Sequence, residues 1–425
     1  MTSFFQSTLL ALAASSAAAT AFAGKDADDV WPRFRGHNGS GFAPSAIPSE
    51  WTGASFRWQT ELPGSGHGSP VVWKNKVFLN AARDKGKERL VVALDAGTGE
   101  ILWVRAFPSA THKTHKFNSY ASSTPAVDAN GVYFAWGHKS SLQFAALSHE
   151  GEPLWETDLG GVAGGHGFGV SPIVHGDLVV LPNDMEKGGG FLVAVEAKTG
   201  KIRWKLPRAS KRLTYSTPCV FTAPDGSEEL IFSNWWLGVT SVNPAGKQLW
   251  ELSVFGRPHA ERAIASPFTN GKLVYATCGF TTLDKHLVAI RPASASKSGK
   301  PEEVWRTEST VPHIPTPLLA GNRLYTWADN GVVTCLRPDT GEQVWKARVE
   351  NVRDTFYGSP VLAGDVLFCA SSHGQIVALA DADEFRQFAV NDLKEVCRST
   401  PALANGDLYL RLYERIVCVK GVSAE

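Results

Sequence analysis

Short apolar runs separated by turn residues recur along most of the chain. The clearest example is Thr316–Trp345, where Asn330-Gly331 and Asp339-Thr340-Gly341 lie between apolar runs. Runs of this length rich in Val, Leu, Tyr and Trp are typical of β-strands, and Gly and Asn between them indicate tight turns because they tolerate positive φ. The pattern predicts one antiparallel sheet of four strands, at Leu318–Ala320, Arg323–Trp327, Val332–Leu336 and Gln343–Trp345.

This unit repeats, and its first strand opens each time with Ser-Pro or Thr-Pro. The eight openings are Ser69-Pro70, Thr124-Pro125, Ser171-Pro172, Thr217-Pro218, Ser266-Pro267, Thr316-Pro317, Ser359-Pro360 and Thr400-Pro401. Their spacing of roughly 41 to 55 residues suits one four-stranded propeller blade per unit. We therefore predict an all-β fold, an eight-bladed β-propeller of four-stranded antiparallel blades.

A tryptophan marks the end of the last strand in most units. These residues are Trp103, Trp155, Trp204, Trp250, Trp305 and Trp345, and Phe388 is the candidate for the seventh unit. The eighth unit ends soon after its third strand, Arg415–Val419, whereas Phe56-Arg57-Trp58 precedes the first Ser-Pro. We predict that this N-terminal strand completes the last blade, because such a closure removes free sheet edges.

Residues outside the repeats divide into a leader, an arm and a short tail. Residues 1–23 are predicted to be a signal peptide cleaved near Ala23, since Leu9–Ala23 is apolar and ends in Ala21-Phe22-Ala23. The run is too short and too rich in alanine to span a membrane, and no second run reaches the roughly 18 apolar residues of a spanning helix. Residues 24–55 form the arm, 56–421 a single propeller and 422–425 the tail. A periplasmic or secreted location follows from the leader.

The overall charge and the cysteine pattern exclude several classes of function. The net charge of +1 gives no electrostatic argument for binding nucleic acid or an anionic membrane. The six cysteines show no CxxC spacing, so zinc ribbons and haem c attachment are excluded. Cys397 and Cys418 both lie in the last units, and their disulfide is the pairing that we consider.

The repeat as a whole resembles the propeller repeat of the pyrroloquinoline-quinone (PQQ) type. Ser69-Pro70, the run Val92-Ala93-Leu94-Asp95-Ala96-Gly97-Thr98-Gly99-Glu100 and Trp103 carry the resemblance, which extends over residues 50–421. The opening Trp31–Gly36 and His67-Gly68-Ser69 are similar to a bacterial subgroup of PQQ-like propellers. The family includes quinoprotein dehydrogenases, and also non-enzymatic propellers such as the periplasmic component of the machine that assembles outer-membrane β-barrels.

The dehydrogenases of this family imply features that can be sought in the sequence. They use a disulfide between adjacent cysteines, an Asp base and Glu, Asn or Asp ligands to calcium, and the quinohaem variants carry CxxCH. No two cysteines are adjacent, CxxCH is absent, and Asp354, Glu261 and Asn118 are single candidates that no spacing distinguishes. We therefore expect a non-enzymatic binding or scaffold propeller without an assigned cofactor. The alternative is a PQQ- and calcium-dependent oxidoreductase similar to alcohol or sugar dehydrogenases.

The loops that lead into the first strands carry the candidate binding residues, because these loops lie at the mouth of a propeller's central channel. The candidates are His67, Asn118, Tyr120, His166, Tyr215, Glu261, Arg262, His313, Arg353, Asp354, Tyr357 and Arg398. Such a ring could bind a ligand, or it could merely solvate the channel and cap free backbone N–H groups. The expected partner is an envelope protein or a small ligand, held at the mouth or at a blade edge by a monomer. A third hypothesis is a hydrolase or lyase that acts on polysaccharide through this ring.

A histidine pair close to the second unit raises the question of a metal site. His112 and His115 are three residues apart, beside Lys113 and Lys116. Neighbouring cations disfavour a bound metal, and no third ligand is close in sequence. We therefore predict no metal site here.

Overall fold

Each predicted unit folds as one antiparallel sheet. A computed structural model describes residues 29–162, 164–186, 189–256, 262–280 and 285–422. Eight sheets follow one another along these residues, and their first strands contact each other around a central channel, which confirms the eight-bladed β-propeller. The predicted signal peptide and its cleavage site lie outside the described residues, as does the tail after residue 422.

The blades are numbered in chain order, and their strands are given from the channel outward. They are Val71–Trp73, Lys76–Arg83, Glu88–Asp95 and Ile101–Pro108 in blade 1; Ala126–Val127, Val132–His138, Ser141–Leu147 and Pro153–Asp158 in blade 2; Ile173–His175, Leu178–Asn183, Gly190–Glu196 and Ile202–Arg208 in blade 3; Cys219–Thr222, Glu228–Asn234, Gly238–Val242 and Gln248–Leu252 in blade 4; Phe268–Thr269, Val274–Gly279, Lys285–Arg291 and Glu302–Thr307 in blade 5; Leu318–Ala320, Arg323–Trp327, Val332–Leu336 and Gln343–Arg348 in blade 6; Val361–Ala363, Val366–Ala370, Gln375–Ala380 and Gln387–Asp392 in blade 7; and Ala402–Ala404, Asp407–Arg411, Arg415–Val419 and Phe56–Glu61 in blade 8. Short 3-10 turns lie at His37–Gly39, Gly53–Ser55, Asp84–Gly86 and Ala293–Ala295. Among the described residues, no helix is long and apolar enough to cross a membrane.

The N-terminal strand closes the ring as predicted. Phe56–Glu61 pairs antiparallel with Arg415–Val419 and places Trp58 opposite Cys418. In blade 6 the first three strands have the predicted bounds, and the fourth continues to Arg348.

The burial of each strand reflects its distance from the channel. In blade 1 the second and third strands are buried on both faces, whereas the fourth strand, Ile101–Pro108, alternates between half-buried and exposed positions. Neighbouring blades cover both faces of the middle strands, so these strands are continuously apolar. The hydrophobic core therefore lies between blades rather than at the centre of the molecule.

The Ser/Thr-Pro repeat forms a ring of hydrogen bonds around the channel. The backbone N–H of Ser69 donates to Thr124 Oγ1 at 3.0 Å, and that of Thr124 donates to Ser171 Oγ at 3.0 Å. The same bond recurs from blade 4 onwards, and Thr400 N–H donates to Ser69 Oγ at 2.9 Å across the junction of the chain ends. Seven of the eight hydroxyls therefore fasten their blade to the preceding one.

The closing tryptophans bridge adjacent blades in the same manner at the outer side. Trp58 Nε1 donates to the carbonyl of Ala96 in blade 1 at 2.9 Å, and Trp345 Nε1 donates to the carbonyl of Ala382 at 3.0 Å. Gly99 follows Ala96 in the turn with φ 74°, and a Cβ there would lie 2.5 Å from the Trp58 ring. The Thr-Gly turn of the repeat is thus required by the tryptophan packed on it.

The seventh blade is completed by Trp51 of the arm and not by Phe388. A bulge in its outer strand pairs Ala389 with Ala378, the position that Trp345 occupies in blade 6, and leaves Phe388 38% exposed. In blades 1, 2, 5, 6 and 8 the closing tryptophan packs on an aromatic residue of the second strand. In blade 7 that residue is Phe368, and its partner is Trp51, with ring centroids 5.8 Å apart. The prediction that Phe388 takes the place of the closing tryptophan is therefore wrong.

The arm occupies the free edges of the first strands and so fills part of the channel. Although the sequence is too irregular to predict strands here, Val30–Trp31 pairs antiparallel with the first strand of blade 1, and Phe42–Ala43 pairs in parallel with that of blade 7. Arg33 and Arg35 are buried and donate to the backbone carbonyls of Pro218, Thr316 and Pro317 in blades 4 and 6. Asn38 exchanges two hydrogen bonds with the backbone of Val220. The arm thereby links blades on opposite sides of the ring.

All six cysteines are buried free thiols, so Cys397 and Cys418 do not form the disulfide that we considered. Cys397 Sγ lies 3.4 Å from the carbonyl oxygen of Arg411, and Cys418 Sγ lies 3.6 Å from Asp407 Oδ2. Both residues therefore pack as small apolar side chains within blade 8.

Candidate functional site

A cavity of about 500 Å³ opens where the loops lead into the first strands. We call it the mouth cavity. Eight of the twelve residues predicted for the channel mouth line it: His67, Asn118, His166, Tyr215, Arg262, His313, Tyr357 and Arg398. Residues of the Ser/Thr ring and Phe34 of the arm also line it. The propeller therefore provides a pocket whose volume is in the range of small-ligand sites.

Among the described residues, three cationic side chains line the mouth cavity, Lys116, Arg262 and Arg398, and two of them are held in place. Arg262 Nη1 lies 2.6 Å from Glu186 Oε1, which fixes that guanidinium from behind. Arg398 lies over the Tyr357 ring at 5.1 Å from its centroid and donates from Nη1 to the carbonyl of Lys116 at 2.7 Å. Its Nε has no acceptor among the described residues. Arg398 therefore retains a donor for a ligand.

The described histidines that line the mouth cavity are held in the neutral form. Burial lowers the pKa of His67 to about 3, with smaller effects of Arg398 and Arg411. Burial likewise lowers the pKa of His313 to about 4. Burial, followed by nearby cations, lowers the pKa of His115 and of His166, whose rings stack with centroids 5.0 Å apart. At neutral pH these rings are therefore polar but uncharged.

Buried nitrogen atoms in this cavity lack partners. His313 is 7% exposed, and neither ring nitrogen has a hydrogen-bond partner among the described residues, although its backbone N–H donates to Asp329 Oδ2 at 2.9 Å. His67 Nδ1 is also without one. Unpartnered polar atoms of this kind are uncommon in folded proteins and indicate that water or a ligand completes the site.

The donor set favours an anion over a metal ion. Among the described lining residues none is Asp or Glu, and no group of three or more His, Cys, Asp or Glu in the described part of the chain could hold a metal. Asn118 uses its amide to donate to the carbonyls of His166 and Phe168. The described lining residues therefore offer no carboxylate as a calcium ligand or as a base, and they do not fit the PQQ–calcium arrangement that the family's dehydrogenases imply.

Three of the other predicted residues face elsewhere, and Glu261 lies outside the described residues. Tyr120 points into a second, smaller cavity and donates from its hydroxyl to the carbonyl of His112 at 2.8 Å. Arg353 is exposed. Asp354 accepts hydrogen bonds from Ser372 Oγ and His373 N–H within a turn of blade 7.

Hydrogen bonding also decides the charge of Asp354. Burial alone would raise its pKa, but hydrogen bonds from Ser372, Ser371 and His373 hold the pKa well below its usual range. This carboxylate is therefore fixed as an acceptor of the turn, and it does not face the mouth cavity.

Sequence reasoning missed several lining residues. His115, Lys116 and Phe117 line the cavity from the long loop before blade 2, where the density of aromatic and basic residues was the available signal. Phe117 packs on Tyr357 of the loop before blade 7, with ring centroids 4.9 Å apart. No local pattern indicated that Phe34 of the arm would reach the same cavity.

Comparison with known proteins identifies relatives of two kinds. The profile described as outer membrane protein assembly factor BamB matches residues 50–136, 87–298 and 292–419. Outer membrane protein assembly factor BamB of Yersinia pestis is 23% identical over 357 residues, which cover 83% of this chain and 74% of that protein. Polyvinylalcohol dehydrogenase of a Pseudomonas species is 27% identical over 207 residues, which cover 46% of this chain but 28% of the dehydrogenase.

A solved structure shares the fold with this chain. Quinohemoprotein alcohol dehydrogenase from Comamonas testosteroni matches with a TM-score of 0.66 and 14% identity, over 93% of this chain and 81% of that one. At this identity the similarity concerns the fold alone.

Proposed function

The chain belongs to the family of outer membrane protein assembly factor BamB, whose members are PQQ-like β-propellers, and we propose that it is an exported, non-enzymatic binding propeller. Its ligand is an anion, a carboxylate or phosphate group of a small molecule or of an envelope partner, which enters the mouth cavity. Export to the periplasm or beyond is part of the proposal, supported by the leader-like sequence and by the relative named for outer membrane protein assembly.

One observation carries the proposal. Lys116, Arg262 and Arg398 line a cavity of about 500 Å³ that no described carboxylate lines, although Arg262 is paired with Glu186 behind it. Lys116 and Arg398 form no ion pair among the described residues, and such cations attract an anion because charge-assisted hydrogen bonds are about twice as strong as neutral ones. The neutral histidines add donors or acceptors without adding charge.

The arrangement of the cations also suggests how a ligand is oriented. Arg262 precedes the first strand of blade 5 and Arg398 that of blade 8, so they approach from different sides of the ring. Tyr357 and Phe117 supply an apolar wall beside Arg398. A ligand with an anionic group and a flat or apolar body is therefore best matched.

Calorimetric titration of the purified protein with citrate and with inorganic phosphate tests the proposal. We expect saturable binding that weakens as the salt concentration rises, because the interaction is electrostatic. A parallel titration with PQQ and Ca²⁺, followed by dye reduction with alcohols, tests the alternative. Turnover in that assay would overturn the non-enzymatic part of the proposal, and absence of any anion binding would overturn the binding site.

A further inference from the structure

A second cavity lies between blades 1 and 2, beneath the loop that carries His115–Asn118, and has a volume of about 20 Å³. It is lined by Asn80 and Arg89 of blade 1 and by Tyr120 and Ser123 of the loop, among others. A single water needs about 10–15 Å³, so this space holds one small occupant and excludes a sulfate or an organic acid. We call it the Arg89 cavity.

Arg89 differs from the other buried arginines in the described part of the chain. Arg33, Arg35 and Arg411 donate to backbone carbonyls, and Arg208 lies 3.3 Å from the carboxylate of Asp184. Arg89 is 4% exposed, and within the described part of the chain it forms no ion pair and its Nε and Nη1 have no acceptor. Its guanidinium lies over the Tyr120 ring, 5.0 Å from the centroid.

A guanidinium in this position keeps its charge and lacks a counter-charge. Burial lowers the pKa of Arg89 only to about 10, so the side chain is protonated at neutral pH. A buried charge is costly unless it is paired. The Tyr120 ring compensates a part of this cost, since the negative face of an aromatic ring attracts a cation.

From the cavity's size and its unpaired cation, we infer that the Arg89 cavity binds one chloride ion. The ion accepts hydrogen bonds from the Arg89 guanidinium, and the unpartnered hydroxyl of Ser123 is a further donor on the cavity wall. The competing occupant is a water that bridges Arg89 to Asn80 Oδ1, which also lacks a partner. Charge favours chloride, because a neutral water leaves the guanidinium uncompensated.

At this position the ion would connect the loop before blade 2 to the third strand of blade 1. Arg89 lies on the third strand of blade 1, whereas Tyr120 and Ser123 lie on the loop whose other side lines the mouth cavity. Chloride therefore fastens this loop to blade 1. The inference does not depend on the proposed function, because it concerns a separate cavity.

Thermal unfolding of the protein in sodium chloride and in sodium gluconate of equal ionic strength tests the inference. We expect a melting temperature about 1–3 °C higher in chloride, because an ion that binds only the folded state stabilises it. In Arg89→Met this difference disappears, whereas in Arg83→Met, an exposed arginine on the adjacent strand, it persists. Equal melting temperatures of the unaltered protein in both salts, or a chloride effect that survives Arg89→Met, would overturn it.

Crystals grown with bromide instead of chloride give an answer that does not depend on a variant. An anomalous peak within hydrogen-bonding distance of the Arg89 guanidinium is the expected result. Density without an anomalous signal would assign the cavity to water and overturn the inference.

Discussion

The two ends of the central channel are built on the same eight first strands, but they differ in what their polar side chains face. At the arm end, Arg33 and Arg35 are buried, and their terminal nitrogens donate to the carbonyls of Pro218, Thr316 and Pro317, although Nε of each has no described partner. At the mouth, the half-buried Arg398 and the ring of His313, whose nitrogens have no described partner, line the mouth cavity. An unpartnered buried polar group costs about 1–3 kcal/mol. Arginines that bind backbone carbonyls inside the fold therefore stabilise it, whereas polar groups that line a cavity can bind a ligand.

The largest effect is expected from Arg35→Met at the arm end. The substitution leaves the carbonyls of Thr316 and Pro317 without this donor in a buried channel and separates the arm from blade 6. We expect the free energy of unfolding to fall by about 3 kcal/mol or more, measured by denaturant unfolding.

The matched control for Arg35 is Arg105, which also donates to a backbone carbonyl, that of Gly151, but is 38% exposed. Arg105→Met should cost less than about 1 kcal/mol, because water replaces its contacts. Equal losses for the two variants would show that the arm does not anchor the ring.

A smaller loss is expected from Trp51→Ala, which tests whether the arm completes blade 7. Trp51 packs on Phe368 as Trp345 packs on Tyr325, and both tryptophans are half-buried. We expect both alanine variants to lower the free energy of unfolding by about 2 kcal/mol, less than for a fully buried tryptophan. Phe388→Ala should cost under about 1 kcal/mol because the ring is partly exposed. A larger loss for Phe388→Ala than for Trp51→Ala would restore Phe388 as the closing residue.

The blade repeat could be predicted from the sequence because its causes are local. Ser/Thr-Pro, the Thr-Gly turn and the closing tryptophan recur at regular spacing, and each makes the same bond in most blades. The closure by Trp58 was predictable by elimination, since one unit lacked its last strand. The same logic failed for Phe388, because the substitute, Trp51, comes from a segment more than 300 residues away.

The sequence predicted which loops form the candidate site, but it did not predict all of the residues that line it. Residues close to the first strands, such as His67, Arg262 and Arg398, reach the mouth cavity. Tyr120, Arg353 and Asp354 lie in the same loops but turn to other partners, and a sequence does not show the direction of a loop side chain. Phe34 could not be found, because its contacts depend on the path of the arm through the channel.

An effect of intermediate size is expected from His313 of the mouth cavity, which makes the free energy of unfolding depend on pH. Burial lowers the pKa of His313 to about 4, so the unfolded chain binds more protons than the folded one below the unfolded pKa of about 6.5. The neutral histidine therefore contributes stability above that pH, which is lost as the pH falls towards 4.

His313→Gln removes this contribution. Between about pH 6.5 and 5.5 the free energy of unfolding of the unaltered protein should fall by about 1 kcal/mol more than that of the variant. Denaturant unfolding at both pH values measures the difference. Parallel losses in the two proteins would mean that folding does not lower the pKa of His313.

The smallest effect on stability, but a clear one on binding, is expected from Arg398→Met. Its guanidinium lies on Tyr357 at the edge of the mouth cavity and keeps Nε unpaired, so its loss should change the free energy of unfolding by less than about 1 kcal/mol. The affinity for citrate or phosphate should fall about tenfold, as for the loss of one charge-assisted hydrogen bond. Arg353→Met, on an exposed residue that does not line the cavity, should leave that affinity unchanged. An Arg398→Met variant that binds normally but unfolds as readily as Arg35→Met would make Arg398 a structural residue and remove the contrast between the two ends of the channel.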